Sequence, residues 1–590
     1  MPKKVDFGFT PSPYQEKIFD FVLHGTGNAV INAKAGSGKT STIVAAMKLV
    51  PKRQKCLFIA FNKSIVEDLS KKLEGYSNCE VKTVHSLGYS IVSRNLEHQP
   101  VLDEYKYRNY IKNNICELTE LDCEGLTREI LEEYIETIST LINFARYNLC
   151  QTANEIADIA KEYDIPYIHD ECEVVLKCLK WGKKNLQTVD YMDMVWLPYE
   201  LKMKPMGHQY DWIFNDEVQD YSKAYVDLML RCFKRGTRFI SVGDTKQMIN
   251  QFSGSSSGAY NYMCNYPHTV KFDLPVCYRC DRKIVELAQT LVPEIEFRDD
   301  AGVGEIIEVC YTDCLKSGDM VLCRYKAPLI KLYLKLLKKG VKCYVKGQDI
   351  GENLIDLVKS VDCENLGKEL INDGLFIRLY ERMINERNSV MMKHGLDLWD
   401  ASLSASVMYL YDSISTLMTI AEDCSTKSQL VSKIESIFSD EGEGICLSTI
   451  HKAKGLEADN VYILCRSCMP PKRAKREWEK EEEMNLIYVA YTRAKHVLGF
   501  VSEKEIPPSG ALADEDDIVN DIVFLERRVC QITGREITNP NNAPGLSKFR
   551  LKAATKIEDI HKNDNVVIIS KNEAPLEETS LDDLLKELME

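Results

Sequence analysis

Ala33-Lys34-Ala35-Gly36-Ser37-Gly38-Lys39-Thr40 follows the apolar run Ala29-Val30-Ile31 and leads into Ser41-Thr42-Ile43-Val44-Ala45-Ala46-Met47. That order reads as strand, glycine loop, helix, in which backbone N–H groups and a helix N-terminus converge on a phosphate chain. Such a loop needs small residues, a lysine for the outer phosphates and a hydroxyl for Mg²⁺. Gly36, Gly38, Lys39 and Thr40 supply these. The usual pattern begins with Gly, and here that position is Ala33. The stretch is read as a nucleotide site.

The length of 590 residues suggests roughly three or four domains. A hydrophobic content of 45% is ample for several buried cores. The N-terminus lacks the apolar core of a signal peptide, and no run approaches the roughly 20 apolar residues that span a bilayer. The expectation is a soluble intracellular chain, cytoplasmic in a bacterial or phage-infected cell and nuclear in a eukaryote. Twenty-one cysteines spread through the chain read as reduced thiols rather than a disulfide framework. A net charge of −14 argues against a basic coat but leaves room for a basic groove.

In chain order, Gln15 precedes the helical pattern Ile18, Phe19, Val22, Leu23. Its amide gives and accepts a hydrogen bond at once, which suits an adenine edge. Next come Cys56-Leu57-Phe58-Ile59-Ala60-Phe61-Asn62-Lys63-Ser64, a buried strand ending in an aromatic and polar residues, and Val81-Lys82-Thr83-Val84-His85-Ser86-Leu87. In an open parallel sheet such strand ends face the ligand crevice. From about Gly88 to Gln187 the pattern is helical, charged and tyrosine-rich. Asp211-Trp212-Ile213-Phe214-Asn215 then delivers Asp216-Glu217-Val218-Gln219-Asp220. After a glycine loop, one such carboxylate holds the Mg²⁺ shell and the other polarises the attacking water. A further strand, Arg238–Val242, delivers Gly243-Asp244-Thr245-Lys246-Gln247.

These stretches resemble the motifs of the UvrD/Rep-like helicases of superfamily 1. Tyr278-Arg279, then Thr449-Ile450-His451-Lys452-Ala453-Lys454-Gly455-Leu456-Glu457, then Leu486 to Lys495 with Arg493, complete seven motifs in the family's order. The core looks most like F-box DNA helicases and phage relatives, with no F-box expected ahead of Gln15. The resemblance implies an α/β fold: two RecA-like P-loop motor domains with parallel sheets, each carrying a helical insertion. The first would be 1–87 plus 188–275 around the insertion 88–187. The second would be 276–350 plus 441–505 around a short helical insertion 351–440, with 506–590 as a C-terminal extension bearing an acidic tail.

By the same resemblance the catalytic set is Lys39, Asp216, Glu217, Gln247, Arg279 and Arg493, with Thr40 and Asp216 on Mg²⁺. Both arginines are placed on the second domain, reaching the γ-phosphate of ATP when the domains close. Gln15, Ala35, Gly36, Ser37, Gly38, Lys39, Thr40, Tyr278, Gly455 and Glu457 would contact the nucleotide. Phe61, Asn62, Thr83, His85, Phe252, Thr449 and His451 would contact DNA. The implied function is an ATP-dependent DNA helicase moving 3′ to 5′ on single-stranded DNA, acting on single-strand/duplex junctions in replication, recombination or repair. The alternative is a DNA-dependent ATPase that remodels protein–DNA complexes without separating strands.

Some departures accompany the match. Where relatives carry a tyrosine, an aromatic and an arginine after the third motif, this chain has Asn250, Phe252 and Ser253. Ser41 replaces the arginine that relatives lay against adenine. The pairs Cys277/Cys280 and Cys465/Cys468 have zinc-ligand spacing but are read as ordinary thiols. Lys472 to Glu483 is read as a solvated helical face whose basic half could contact phosphates. Ala513 to Asp517 reads as an acidic linker. Leu576 to Glu590 reads as an acidic amphipathic terminal helix, docked or frayed, with a peptide for a protein partner as the alternative. Asp190 and Asp193 receive no assignment.

Overall fold

The computed structural model describes residues 7–60, 63–96, 98–119, 128–163, 165, 169–249, 257–438, 442–471, 474 and 476–534. Phe61, Asn62, Phe252 and the terminal helix expected at Leu576 to Glu590 lie outside the described residues. The chain divides into two compact units, one running to Cys280 and including Val285–Ala301, the other formed by Asp281–Ile284 and the chain from Gly302 onward.

The first unit is built on six strands: β1 (Asn28–Ala33), β2 (Cys56–Ala60), β3 (Cys79–Thr83), β4 (Tyr210–Asn215), β5 (Phe233–Gly243) and β6 (Thr269–Leu274). They pair in the order β3-β2-β4-β5-β1-β6, every pair parallel. A parallel sheet needs cover on both faces, so its strands are apolar runs rather than alternating ones. The side-chain period of two divides them cleanly. Ala29, Ile31, Ala33, Cys56, Phe58 and Ala60 join one core with Ile18, Phe19 and Val22 of the helix Pro13–His24. Val30, Leu57 and Ile59 join the other.

That second core runs without a break into the expected helical insertion. Helices Lys106–Thr119, Arg128–Asn148, Ala153–Glu162 and His169–Lys184 contribute Ile111, Ile138, Ile156 and Val175 to the same cluster as the sheet residues. The insertion therefore shares its hydrophobic core with one face of the sheet. Asp190 and Asp193 follow the insertion and are buried against it. Asp190 caps the helix Tyr191–Glu200, and buried Arg146 bonds both carboxylates, at 2.8 and 3.0 Å. Asp193 also accepts from Lys106 at 2.5 Å and Tyr107 at 2.8 Å. A buried charge is tolerable only when paired and hydrogen-bonded in this way.

The second unit has its own six-stranded sheet: β7 (Glu305–Cys310), β8 (Met320–Cys323), β9 (Cys343–Val345), β10 (Ile445–Thr449), β11 (Ala458–Ile463) and β12 (Ala494–Val501). Their order is β7-β12-β11-β8-β10-β9, again all parallel. The described residues of 351–440 include the helices Leu375–His394, Ala405–Ala421 and Lys427–Ile437.

Three expectations need correction. The break between units falls after residue 275, because 276–280 and 285–301 pack with the first unit. Val276–Cys277 pairs with Glu296–Phe297, and Lys34 Nζ lies 3.7 Å from Glu294. The acidic linker is a helix start: Asp514 caps Glu515–Thr533 and accepts from the Asp516 N–H. Carboxylates in a first turn oppose the positive end of the helix dipole. Glu483, read as solvated, is 8% exposed and accepts from Arg324 at 2.7 Å.

The Glu515–Thr533 helix is part of the second unit's core through Ile518, Ile522, Leu525 and Val529. It is joined to Leu375–His394 by a buried ion pair, Arg387 Nη2 to Glu526 Oε1 at 2.8 Å. Removing one partner of such a pair strands the other charge and costs about 3–5 kcal/mol, whereas an apolar pair of similar volume is tolerated. Denaturant unfolding should accordingly show Arg387→Ala strongly destabilised, with Arg387→Met/Glu526→Leu recovering most of the loss. Equal stability of Arg387→Ala and the parent would mean that the pair does not hold the helix.

Candidate functional site

Parallel strands end on one rim, and in the first unit the ends of β1, β3, β4, β5 and β6 on that rim lead into candidate residues. After β1, the backbone turns left-handed at Gly36 (φ 68°) and Gly38 (φ 78°), and Gly38 caps the helix Lys39–Lys48. Ala35 and Ser37 are buried in the loop. A Cβ at Gly36 would lie 2.7 Å from Cys277 Sγ and 2.8 Å from Arg279 Cβ. No side chain fits there.

The loop meets the end of β4. Thr40 Oγ1 donates to Asp216 Oδ2 at 2.8 Å, and Lys39 Nζ lies 3.7 Å from Glu217 Oε1. The Glu217 N–H donates to Asp216 Oδ1 at 2.9 Å. Burial, and then the neighbouring Glu217 charge, push the Asp216 carboxyl up to about 6, against the opposing pull of Thr40 and Lys39. Glu217 is left-handed at φ 52°, ψ 41°. For a residue with a Cβ this costs on the order of 1–3 kcal/mol and persists only where the surroundings hold it.

The holding groups come from β4 and β5. Gln219, given no role from the sequence, is fully buried and donates from Nε2 to Glu217 Oε2. Its Oε1 accepts from the Asp244 N–H at 3.0 Å. Asp244 Oδ2 accepts from Gln247 Nε2 at 2.7 Å, and Gln247 is buried. Gln15 is 4% exposed and abuts the same loop, with its Oε1 accepting from the Ser12 N–H and its Nε2 donating to Thr42 Oγ1 at 2.8 Å. Part of its amide thus serves the helix cap and the glycine-loop helix.

Tyr278 and Arg279 also belong here. The Tyr278 N–H donates to the Gly36 carbonyl at 2.9 Å, and the Tyr278 side chain is 39% exposed. Arg279, expected on the second domain, sits beside Gly36 within the first unit. The reason is local: the chain leaves β6 on the same rim as the glycine loop and is tied to it within four residues. Cys277 is drawn down to about 6, first by its hydrogen bond with Cys280 and then by the Cys280 and Arg279 N–H groups. Both C-x-x-C pairs are free thiols, in different units. Among the described residues no cluster suits a metal held by three or more His, Cys, Asp or Glu.

Of the candidate nucleic-acid contacts, Thr83 caps the helix Val84–Asn95 at the end of β3. His85 bonds the Tyr225 hydroxyl at 3.2 Å and meets the Tyr191 ring edge-on at 5.7 Å. Burial lowers its affinity for a proton. In the second unit the candidates divide between two rims. Thr449 ends β10 at the carboxyl rim, and His451 follows it, held neutral first by burial and then by the Arg324 and Lys454 charges. Gly455 (φ 86°), Glu457 and Arg493 lie at the amino rim, ahead of β11 and β12. Glu457 pairs with Lys495 at 3.4 Å and lines a cavity of about 640 Å³ with Lys342, Tyr344, Lys346 and Glu443. The Arg493 guanidinium donates to the carbonyls of Val489 (3.0 Å) and Leu456 (3.1 Å).

The crowding at Gly36 is testable. Gly36→Ala should break the bond to the Tyr278 N–H, raising exchange of that amide roughly tenfold or more in hydrogen-exchange mass spectrometry. Unchanged exchange would show that the loop accommodates a methyl group.

The UvrD/REP helicase N-terminal domain model matches residues 14–266, and the UvrD-like helicase C-terminal domain model matches residues 353–505. F-box DNA helicase protein 1 of Schizosaccharomyces pombe is 24% identical over 82% of this chain and 56% of its own length. F-box DNA helicase 1 of Gallus gallus is 25% identical over 82% of this chain and 48% of its own. ATP-dependent DNA helicase Rep of Buchnera aphidicola is 22% identical over 45% and 43%. The chain spans about half the length of the curated relatives it matches. With both domain models matched in order, on two parallel α/β sheets of the RecA-like kind, this chain belongs to the UvrD/REP helicase family.

Proposed function

We propose that the chain is an ATP-dependent DNA helicase that moves 3′ to 5′ on single-stranded DNA and unwinds duplex DNA, in replication, recombination or repair. The observation that carries the reading is the joint of Thr40, Asp216, Lys39 and Glu217 beside a glycine loop crowded at Gly36. In that reading the loop N–H groups and Lys39 bind the phosphates of ATP. Glu217 orients and polarises the attacking water, and Gln247 contacts the γ-phosphate. Tyr278, exposed beside the loop, offers a face to adenine.

The donor set fits Mg²⁺. Thr40 and Asp216 bring a hydroxyl and a carboxylate together at 2.8 Å, hard oxygens of the kind that hold this ion through one or two protein ligands plus phosphates. Bound there, Mg²⁺ would neutralise charge on the phosphates. The repulsion between Asp216 and Glu217 is the kind of local excess of negative charge that a divalent cation relieves.

Thr83, His85, Thr449 and His451, with Phe61, Asn62 and Phe252 outside the described residues, are the proposed DNA contacts. Arg279 and Arg493 are assigned to charge neutralisation in phosphoryl transfer. ATP hydrolysis with and without single-stranded DNA, followed by unwinding of 3′- and 5′-tailed duplexes, tests the proposal. DNA-stimulated hydrolysis with displacement of proteins but no strand separation would favour a remodelling ATPase.

Lys39→Ala should abolish turnover and leave single-strand binding measurable, because the phosphate and DNA contacts lie on different loops. Equal loss of both activities from a folded variant would reject the assignment. Alanine at Arg279 or Arg493 should lower the maximal DNA-stimulated rate by roughly 10³ with little change in KM for ATP. Lysine should restore little, since it lacks the planar fork. Near-parental maximal rates in steady-state kinetics would reduce both arginines to structural donors.

A further inference from the structure

Glu217 has two carboxylate oxygens with different surroundings. Oε1 lies on the Lys39 side, at 3.7 Å from Nζ, and Oε2 accepts from Gln219 Nε2. Gln219 stands in the short turn Val218–Asp220 with no exposed surface. The other end of its amide, Oε1, accepts from the Asp244 N–H at 3.0 Å. The close approach depends on Gly243, where a Cβ would lie 2.5 Å from Gln219 Oε1. Asp244 continues the series, receiving Lys246 N–H on Oδ1 at 3.1 Å and Gln247 Nε2 on Oδ2 at 2.7 Å. The ends of β4 and β5 are thereby linked through Glu217, Gln219, Asp244 and Gln247.

We propose that Gln219 is a positioning residue for ATP hydrolysis, locking the Glu217 carboxylate to the backbone of Asp244 through both ends of its amide. The proposal rests on the reading of Glu217 as the group that orients and polarises the attacking water. A carboxylate serving that step must be held in one orientation, since small misplacements of a reacting group cost large factors in rate. Backbone strain at Glu217 fixes where the side chain starts. The amide fixes where it ends, tying up Oε2 and leaving Oε1 toward Lys39 and the glycine loop. The task needs a donor and an acceptor on one neutral group, which an amide supplies. Glutamate at this position would keep the acceptor for Asp244 and set a second carboxylate against Glu217. Leucine would match the size approximately and strand both partners, a cost that buried polar groups do not recover.

The test compares Gln219→Leu, Gln219→Glu and Glu217→Gln in the full chain. The measurements are steady-state ATP hydrolysis at saturating single-stranded DNA, binding of a non-hydrolysable ATP analogue, and thermal unfolding. Both Gln219 variants are expected to lose roughly tenfold or more in kcat, with KM for ATP and analogue affinity within about twofold of the parent. A purely structural role predicts lowered thermal stability with parental kcat in the folded fraction, and that result would overturn the proposal. Gln219→Glu keeps the volume and the Asp244 acceptor, so it decides the matter if the leucine variant does not fold. Glu217→Gln separates this inference from the reading beneath it. Parental turnover in that variant would reject the role of Glu217 itself. Loss there with parental kcat in Gln219→Glu would reject only the role of Gln219.

Discussion

The hydrogen bond of 2.8 Å from Thr40 to Asp216 joins residues 176 positions apart, and the strands that bear them are not neighbours. β5 lies between β1 and β4. The contact therefore requires the whole sheet order, because only parallel strands in that sequence bring the two loops to the same rim. The same rim buries Asp216 beside Glu217, and burial and that charge raise the proton affinity of Asp216 while the Thr40 bond opposes the rise. Glycine loop, carboxylate pair and the Gln219 network are different consequences of one chain topology.

Much of this arrangement could be read from residues alone. Runs such as Cys56-Leu57-Phe58-Ile59-Ala60 are apolar on both alternating faces, which marks a doubly covered parallel strand, and the loop chemistry after β1 is local. The order of motifs along the chain then separates a phosphate site from a chance glycine turn. What could not be read is pairing between distant charges. Glu483 stands in a run of acidic residues, and nothing nearby in sequence announces Arg324, 159 positions away. Asp514 to Asp517 look like a linker until the apolar stripe beyond them finds a core to enter.

Arg279 shows the same limit from the other side. Motif order places it among the second domain's residues, but unit membership is decided by what a segment touches. Here the Gly36 carbonyl and the Val276–Cys277 ladder hold the segment in the first unit. Gln219 was in plain view inside a recognised motif, yet its neighbours there are carboxylates with obvious chemistry. The signal was its type: an amide two residues past a carboxylate, in a tight turn, can fold back onto it.

The segment from Thr449 to Ala458 crosses the second sheet from its carboxyl rim to its amino rim. It is pinned along the way by backbone bonds from Ala453 to Thr449, from Leu456 to Ala453 and from Ala458 to Arg493. Gly455 turns left-handed on the way (φ 86°), a conformation that favours glycine. One short, internally bonded stretch of main chain thus separates Thr449, a candidate DNA residue, from Gly455 and Glu457, candidate nucleotide residues.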